Sequence, residues 1–325
     1  MFKSRLSTSI LIILAGLMLL APGCGCVTDS QPLELTTITF AYNFATRSDP
    51  TEYYETAVEA FNQAYPHITV ELQPIPYGQG DLVSADTFIA SAFYLRALWD
   101  NEQVLSLDPL IAQNTGFDYD DCHPGMAANL TTENAIFGLP SGANINVMFY
   151  NKEVFDQYGV PYPQGGWTWA DFLETGQALT HLEDDVFGFI PVDIYFDPIL
   201  FMYQHGGGIF DDLENPTAPT FDSPANIEAL AWYVDLIYEH NIAPTGEQAQ
   251  AAFDSRDNYA PLAIVRNQAG MWVASLSSRD GTGWPSRWNI DWGATPLPQD
   301  ERAATMVFVD GYAISAGTEN PEASW

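Results

Sequence analysis

Residues 37–72 read TITFAYNFATRSDPTEYYETAVEAFNQAYPHITVEL, and this stretch decides the fold. Thr37-Ile38-Thr39-Phe40-Ala41-Tyr42 alternates as a strand does, one side chain to each face in turn. Asp49-Pro50-Thr51-Glu52 then opens a helix, with Asp49 as N-cap and Pro50 at the first helical position, where its missing N–H costs nothing. Tyr53, Ala57, Ala60 and Phe61 recur at helical spacing, and the helix stops before Pro66. Ile68–Leu72 is a second strand. Asp86–Ala90 is a third, followed by a helix through Leu95 and Leu98. Strand, helix, strand, helix is the pattern of a parallel, doubly wound α/β sheet, in which ligands sit at the carboxyl ends of the strands.

The 325 residues are enough for about two domains with packed cores. Hydrophobic residues make up 47% and charged residues 16%, which excludes a disordered chain and a coiled coil. Acidic residues number 42 against 10 basic ones, for a formal charge of −32, and the only lysines are Lys3 and Lys152. Such a surface repels phosphate backbones, so nucleic acid is excluded as a partner. Aromatic residues reach 14%: most must pack the core, leaving some to serve as ligand platforms.

The first 23 residues read as a targeting segment. Lys3 and Arg5 precede an uncharged apolar run, Ile10–Leu20, too short to span a bilayer of about 20 helical residues but suited to a signal-peptide core. It ends in Ala21-Pro22-Gly23-Cys24, which resembles a bacterial lipoprotein signal in which Cys24 becomes the lipidated N-terminus, favoured over Cys26. An uncleaved signal anchor is the competing reading. Residues 24–36 are a polar tether. Cys26 lies in that tether, so a disulfide with Cys122 is not expected.

Further along, Asn151–Phe155 starts a helix, Trp167–Leu173 begins another with Thr168 as N-cap, and Phe221-Asp222-Ser223-Pro224 leads into a helix over 225–240. Its residues Ile227, Leu230, Ala231, Val234 and Ile237 predict a core-facing stripe. Ala269–Val273 and Val307–Ile314 read as strands. Asp118, Asp120 and Asp121 resemble half of a calcium loop without its downstream glycine and glutamate, and read as a solvated turn. Cys122-His123 is too sparse for zinc, Gly206-Gly207-Gly208 reads as a cap and turn, and no nucleophile-elbow, Walker or zinc-protease pattern occurs. No cofactor or metal is expected.

The order of these segments resembles the extracellular solute-binding proteins of ABC importers, the carbohydrate-type group that includes maltose-binding protein. The likeness rests on Ile38–Phe40, the Tyr53–Tyr65 helix, Ile68–Leu72, Gly138-Leu139-Pro140, Phe149–Lys152, Trp167–Leu173 and Phe221–Pro224. Asp291–Pro298 and Gly311–Ser315 complete it. The resemblance implies a two-lobe periplasmic-binding-protein type II-like fold with doubly wound sheets and hinge crossovers. Lobe 1 is expected over 37–145, the crossover over 146–150, lobe 2 over 151–306, and the return crossover with the start of a lobe 1 helix over 307–325. Family chains run on past that point, so the sequence is expected to be C-terminally incomplete. The implied protein is a monomer without enzymatic activity, held to the membrane by its lipid, that passes a sugar to ABC permease transmembrane subunits.

A sugar offers hydroxyls and flat C–H faces, and calls for amide and carboxylate partners with aromatic stacking surfaces. The expected contacts are Asn43 after the first strand; Ser91, Phe93 and Tyr94 after the third; Asn144 and Asn146 before the crossover; Asp193 and Tyr195 in lobe 2; and Asp310 and Gly311 at the return crossover. Trp272 is the leading stacking candidate. For each, a turn, cap or core role is the competing reading. The alternatives are an anchored glycosidase, which needs two carboxyls about 5–9.5 Å apart that no local sequence marks, and a binding protein for a non-sugar solute.

Overall fold

The computed structural model describes residues 35–44, 50–76, 79–192, 196–213, 216–281 and 287–325. The signal segment, Cys24, Cys26, Asp49, Asp193 and Tyr195 lie outside the described residues.

From Thr36 to Trp325 the chain forms one compact unit. In order it runs β1 (Thr36–Phe44), α1 (Thr51–Ala64), β2 (Ile68–Pro76), β3 (Thr87–Ser91), α2 (Ala92–Asp100), α3 (Asp108–Gln113) and α4 (Pro124–Ala127). The short hairpin β4 (Thr131–Thr132) and β5 (Ala135–Ile136) precedes the long strand β6 (Leu139–Asn151). Then come α5 (Lys152–Tyr158), α6 (Trp169–Leu179), β7 (Phe187–Phe189), α7 (Phe196–Gln204), α8 (Pro224–Tyr238), α9 (Gly246–Phe253) and α10 (Ala260–Val265). β8 (Ala269–Ser275), β9 (Trp292–Thr295), β10 (Val307–Ile314) and α11 (Pro321–Ser324) finish it.

Local sequence explains most boundaries. Thr168 and Asp171 close a capping box on α6, Asn151 accepts from the Glu153 and Val154 amides to start α5, and Ser223 accepts from the Asn226 amide to start α8. α1 begins at Thr51, one residue later than predicted, without a side-chain cap.

β1 pairs in parallel with both β2 and β3, as the opening stretch predicts. The sheet runs β2-β1-β3-β10-β6-β8-β7, with β9 also on β6. β6 is the joint of this sheet. Its first half, Leu139 to Ile145, pairs antiparallel with β10, and its second half, from Asn146, pairs with β8 and β9. The two halves of the sheet are therefore continuous through one 13-residue strand.

Hydrophobic clusters follow the pleat. One gathers Phe88, Leu95, Leu130, Phe137 and Val309 around β3 and β10. On β6, Met148 and Tyr150 join a cluster with Phe155, Phe172, Phe189 and Met271, while Val147 and Phe149 join another with Phe187, Ile264 and Trp272 on the opposite face. Both faces here are covered, so the strands are apolar at every position rather than at alternate ones.

Two predicted faces turn out rotated. In α8 the buried positions are Asn226, Ala229, Tyr233 and Leu236, while Ile227 is 56% and Val234 45% exposed. The helix is apolar nearly all round, and the deciding residue is polar: Asn226 donates to the Gly208 and Thr220 carbonyls and accepts from the Gly208 amide, pulling its own side inward. In α1, Thr51, Tyr54, Val58, Phe61 and Asn62 are the half-buried positions, while Tyr53, Ala57 and Ala60 face water.

Candidate functional site

The carboxyl ends of β1 and β3 and the crossing strand β10 meet along one edge. Asn43 is half-buried near the end of β1, paired with Ile75 of β2. Ser91 ends β3, and its hydroxyl accepts from the Tyr94 amide at 3.3 Å, so it first serves as the α2 cap. This cap sets the next turn outward: Phe93 is 89% and Tyr94 40% exposed. Large aromatics exposed to water at the start of a helix are ready stacking surfaces.

β10 places Asp310 beside Ser91 on one side and Gly142 of β6 on the other. The register shifts between Asp310 and Gly311, so the carboxyl sits at a bulge, a device that re-aims side chains. Gly311 itself has no room to face a ligand. A Cβ there meets Leu130 Cδ1 at 2.7 Å and the Leu139 carbonyl at 3.1 Å, so it is a packing glycine that lets the strand approach Leu130.

The first turn of α1 reaches the same edge and was not singled out as a site by its sequence. Tyr54 packs on Tyr42 at 4.5 Å and on Phe40 at 5.0 Å, and Tyr53 stands edge-on to Tyr54 at 5.2 Å. The Tyr42 hydroxyl and Thr51 Oγ1 lie 2.6 Å apart and fix the helix start. Burial first, then Tyr312, Tyr53, Asp310 and Tyr42, push the Tyr54 hydroxyl upward, which places Asp310 in its electrostatic neighbourhood. The usable signal was topological: the helix after a parallel strand starts at the carboxyl edge, so Tyr53-Tyr54 in its first turn belong there.

The remaining expectations separate. Asn144 exchanges two bonds with Ser277: its Nδ2 donates to Oγ at 2.8 Å, and its Oδ1 accepts from the Ser277 amide at 3.1 Å. Asn146 Oδ1 accepts from Ser275 Oγ at 3.1 Å, and its carbonyl accepts from Thr305 Oγ1 at 2.6 Å. Both amides brace β6 where its partners change. A cavity of about 390 Å³ beside Asn146, lined by Ile145, Asn146, Val147, Leu297 and Thr305, is mostly apolar, and Asn146 Oδ1 and Thr305 Oγ1 in its lining are already paired. Trp272 is 0% exposed, stacked on Phe149 at 5.9 Å and met edge-on by Trp288 at 5.2 Å. It lies in the core because β8 is flanked by β6 and β7 and covered on both faces, and so it leaves the candidate ligand set.

Among the described residues no group of three histidine, cysteine or acidic side chains is arranged to hold a metal. Asp118 is spent on the Asp120 amide, and Cys122 is a free thiol.

The profile of the bacterial extracellular solute-binding protein family matches residues 46–325. The arabinooligosaccharide-binding protein of Halalkalibacterium halodurans is 36% identical over 107 residues, 33% of this chain and 23% of that protein. The arabinooligosaccharide-binding protein of Bacillus subtilis is 23% identical over 259 residues, 74% of this chain and 56% of that protein. The chain thus spans little more than half of the second relative and less of the first. Among solved structures, an ABC substrate-binding protein of Listeria monocytogenes in complex with cycloalternan superposes with a TM-score of 0.73 at 22% identity, covering 90% of this chain and 74% of that one.

Proposed function

The chain belongs to the bacterial extracellular solute-binding protein family, and on that premise we propose that it captures a sugar or oligosaccharide outside the cell and hands it to the transmembrane subunits of an ABC permease. The observation that carries this reading is the edge just described. Asn43 and Asp310 offer hydrogen-bonding groups to hydroxyls, and exposed Tyr53, Phe93 and Tyr94 offer flat apolar faces beside them. Relatives named for oligosaccharides and a neighbour holding cycloalternan support the same ligand class.

Mechanically, residues 37–145 and 151–306 act as two lobes joined through β6 and β10. A ligand that touches both lobes binds the closed arrangement better than the open one and shifts the population toward it. Asp193 and Tyr195 are the proposed contacts from the second lobe. The chain is held to the outer face of the membrane through a lipid on Cys24. It has no chemistry to perform, so the sugar leaves unchanged.

The test is a thermal-shift screen of the purified chain against arabino-, galacto-, malto- and manno-oligosaccharides, with chromatography of the recovered sugar. A raised melting temperature with intact ligand is expected. Cleaved ligand makes the protein a glycosidase, and no shift with any sugar removes the carbohydrate reading.

A further inference from the structure

Helix α8 carries an apolar stripe that the fold leaves in water. Ile227, Ala231, Val234 and Tyr238 follow one another at steps of four, three and four residues, which puts them within an arc of about 60° on the helix surface. Ile227 is 56%, Val234 45% and Tyr238 68% exposed, and Ala231 between them is exposed too. Leu230 and Ile237, half-buried, continue the apolar surface from the stripe toward the cluster around Phe172 and Phe201. Packing of α8 does not use the stripe. Ala229, Tyr233 and Leu236 fill the core side, and the bonds of Asn226 to Gly208 and Thr220 hold that side inward. Single exposed apolar residues are ordinary on a protein surface, but an aligned row of them is the mark of an interaction surface.

An acid row runs along one side of the stripe. Glu228, Asp235 and Glu239 are all exposed and share a helix side. Glu228 meets His205 Nε2 at 3.2 Å, whereas Asp235 and Glu239 belong to none of the ion pairs among the described residues. α8 itself holds no lysine or arginine. The complement of an apolar stripe beside an acid row is an apolar stripe beside a basic row, and this selects the occupant. A second copy of the chain brings another acid row, no cation on its own α8 and a further formal charge of −32. An anionic lipid surface repels the row as well. A protein helix with apolar side chains flanked by lysine or arginine matches both features.

We propose that this face of α8 is where the transmembrane subunits of the permease dock, through an outward-facing helical segment that carries apolar side chains over about three turns beside a row of Lys or Arg. The inference rests on the transport reading above and gives it a surface. From Ile227 to Tyr238 the stripe is roughly 16 Å long, enough for three turns of a partner helix. Its residues are not those of the candidate edge on β1, β3 and β10, so docking and sugar capture use different side chains.

The two features play different parts. Burial of the stripe supplies the attraction, and a charge placed in its middle removes it. The acid row guides the encounter, and reversing it repels a basic partner and reverses the salt dependence. Ala231→Glu tests the first without taking away any packed side chain. Asp235→Lys combined with Glu239→Lys tests the second.

The experiment introduces the photo-crosslinking residue p-benzoylphenylalanine at Val234 of the full chain, in cells that import the best oligosaccharide of the screen, and identifies the adduct by mass spectrometry. An adduct with a transmembrane subunit is expected, and it should vanish when Ala231→Glu is added. Uptake of labelled oligosaccharide should fall about tenfold or more with Ala231→Glu and with the double lysine variant. The purified variants should keep the wild-type melting temperature and bind the sugar within about twofold of wild type, since the stripe lies outside the sugar edge. Unchanged uptake with both variants overturns the inference. So does an adduct only with a second copy of the chain, or none with a transmembrane subunit while uptake runs at the wild-type rate. A wild-type chain that binds no sugar, or binds it and supports no uptake, overturns the transport reading, and this inference with it. The Val234 adduct is read in an otherwise wild-type chain, so it decides the matter even where a variant fails to fold.

Discussion

Trp272→Ala separates two roles that sequence alone leaves open. Trp272 is fully buried in β8, its ring nearly parallel to Phe149 (13° between planes) at 5.9 Å and perpendicular to Trp288 at 5.2 Å. Its neighbours Ala274, Ile264 and Phe187 belong to the same cluster. Truncating a buried tryptophan removes its transfer energy and leaves a cavity that the sheet cannot close, because β6 and β7 hold β8 on both sides. The cost is about 3–5 kcal/mol. The buried Nε1 has no hydrogen-bond partner among the described residues, so its loss gives a little back. For a chain this long each kcal/mol moves the midpoint by about 2 °C, so the ligand-free protein should melt about 6–10 °C lower. Trp272→Phe, which keeps a ring against Phe149, should lose clearly less. Differential scanning calorimetry without ligand measures both. A Trp272→Ala chain with the wild-type midpoint and weakened sugar binding refutes the core assignment and restores Trp272 as a stacking platform.

Three other outcomes follow from the charge distribution and the sequence. With 42 acidic against 10 basic residues, the surface repels itself, and raising salt shortens the range of that repulsion from about 10 Å at 0.1 M to about 3 Å at 1 M. The melting temperature should rise over this range, while the exposed pairs Arg96–Asp100 and Lys152–Asp291 lose little; a flat or falling curve contradicts it. His205 sits on Trp169 with Nδ1 on Asp300 and Nε2 3.2 Å from Glu228, and the Asp300 bond, then the Glu228 bond, outweigh burial and raise its titration. A raised histidine stabilises below its unfolded value near about 6.5 and stops doing so as pH climbs through the folded value. His205→Gln should therefore cost about 1 kcal/mol at about pH 5.5 and nothing measurable well above neutrality, and a pH-independent gap between the two melting curves excludes this contribution of His205. Cys24→Ala should release the exported chain from the membrane fraction; retention of an uncleaved form favours the signal anchor.

What could be read from the sequence was local. The Thr168 N-cap, the helix starts at Asn151 and after Ser223, and the strand limits Val307–Ile314 depend on residues within a few positions of one another, and they appear as predicted. What could not be read depends on what covers a face. Ala269–Val273 has the composition of a strand buried on both sides, so its pattern carries no information about which side Trp272 takes. α8 has apolar residues all round, and a single buried amide, Asn226, chose its inward face. Asp310 was legible as a polar residue at a crossover. That it stands at a bulge between Ser91 and Gly142 became visible only in the register of β10 with β3 and β6.

Asn144 and Asn146 show how the joint and the site are connected. Both were expected to touch ligand, and both instead spend their side chains holding β6 to the end of β8 and the residues just after it, through Ser275 and Ser277. They lie on either side of the point where β6 changes partners, and Asn146 is tied as well to Thr305 and Met306, the residues entering β10. A strand shared by two halves of a sheet cannot slip in register without turning its buried face to water. In the proposed closure, then, any rotation has to be absorbed by twist near Ile145, with these amide bonds limiting how far it goes. Asp310 sits on the strand that lies against that same segment, paired with Gly142 three residues before Ile145. Under the proposed function, a ligand that contacts Asp310 acts on the element that crosses between the halves, so recognition and closure share one pair of strands.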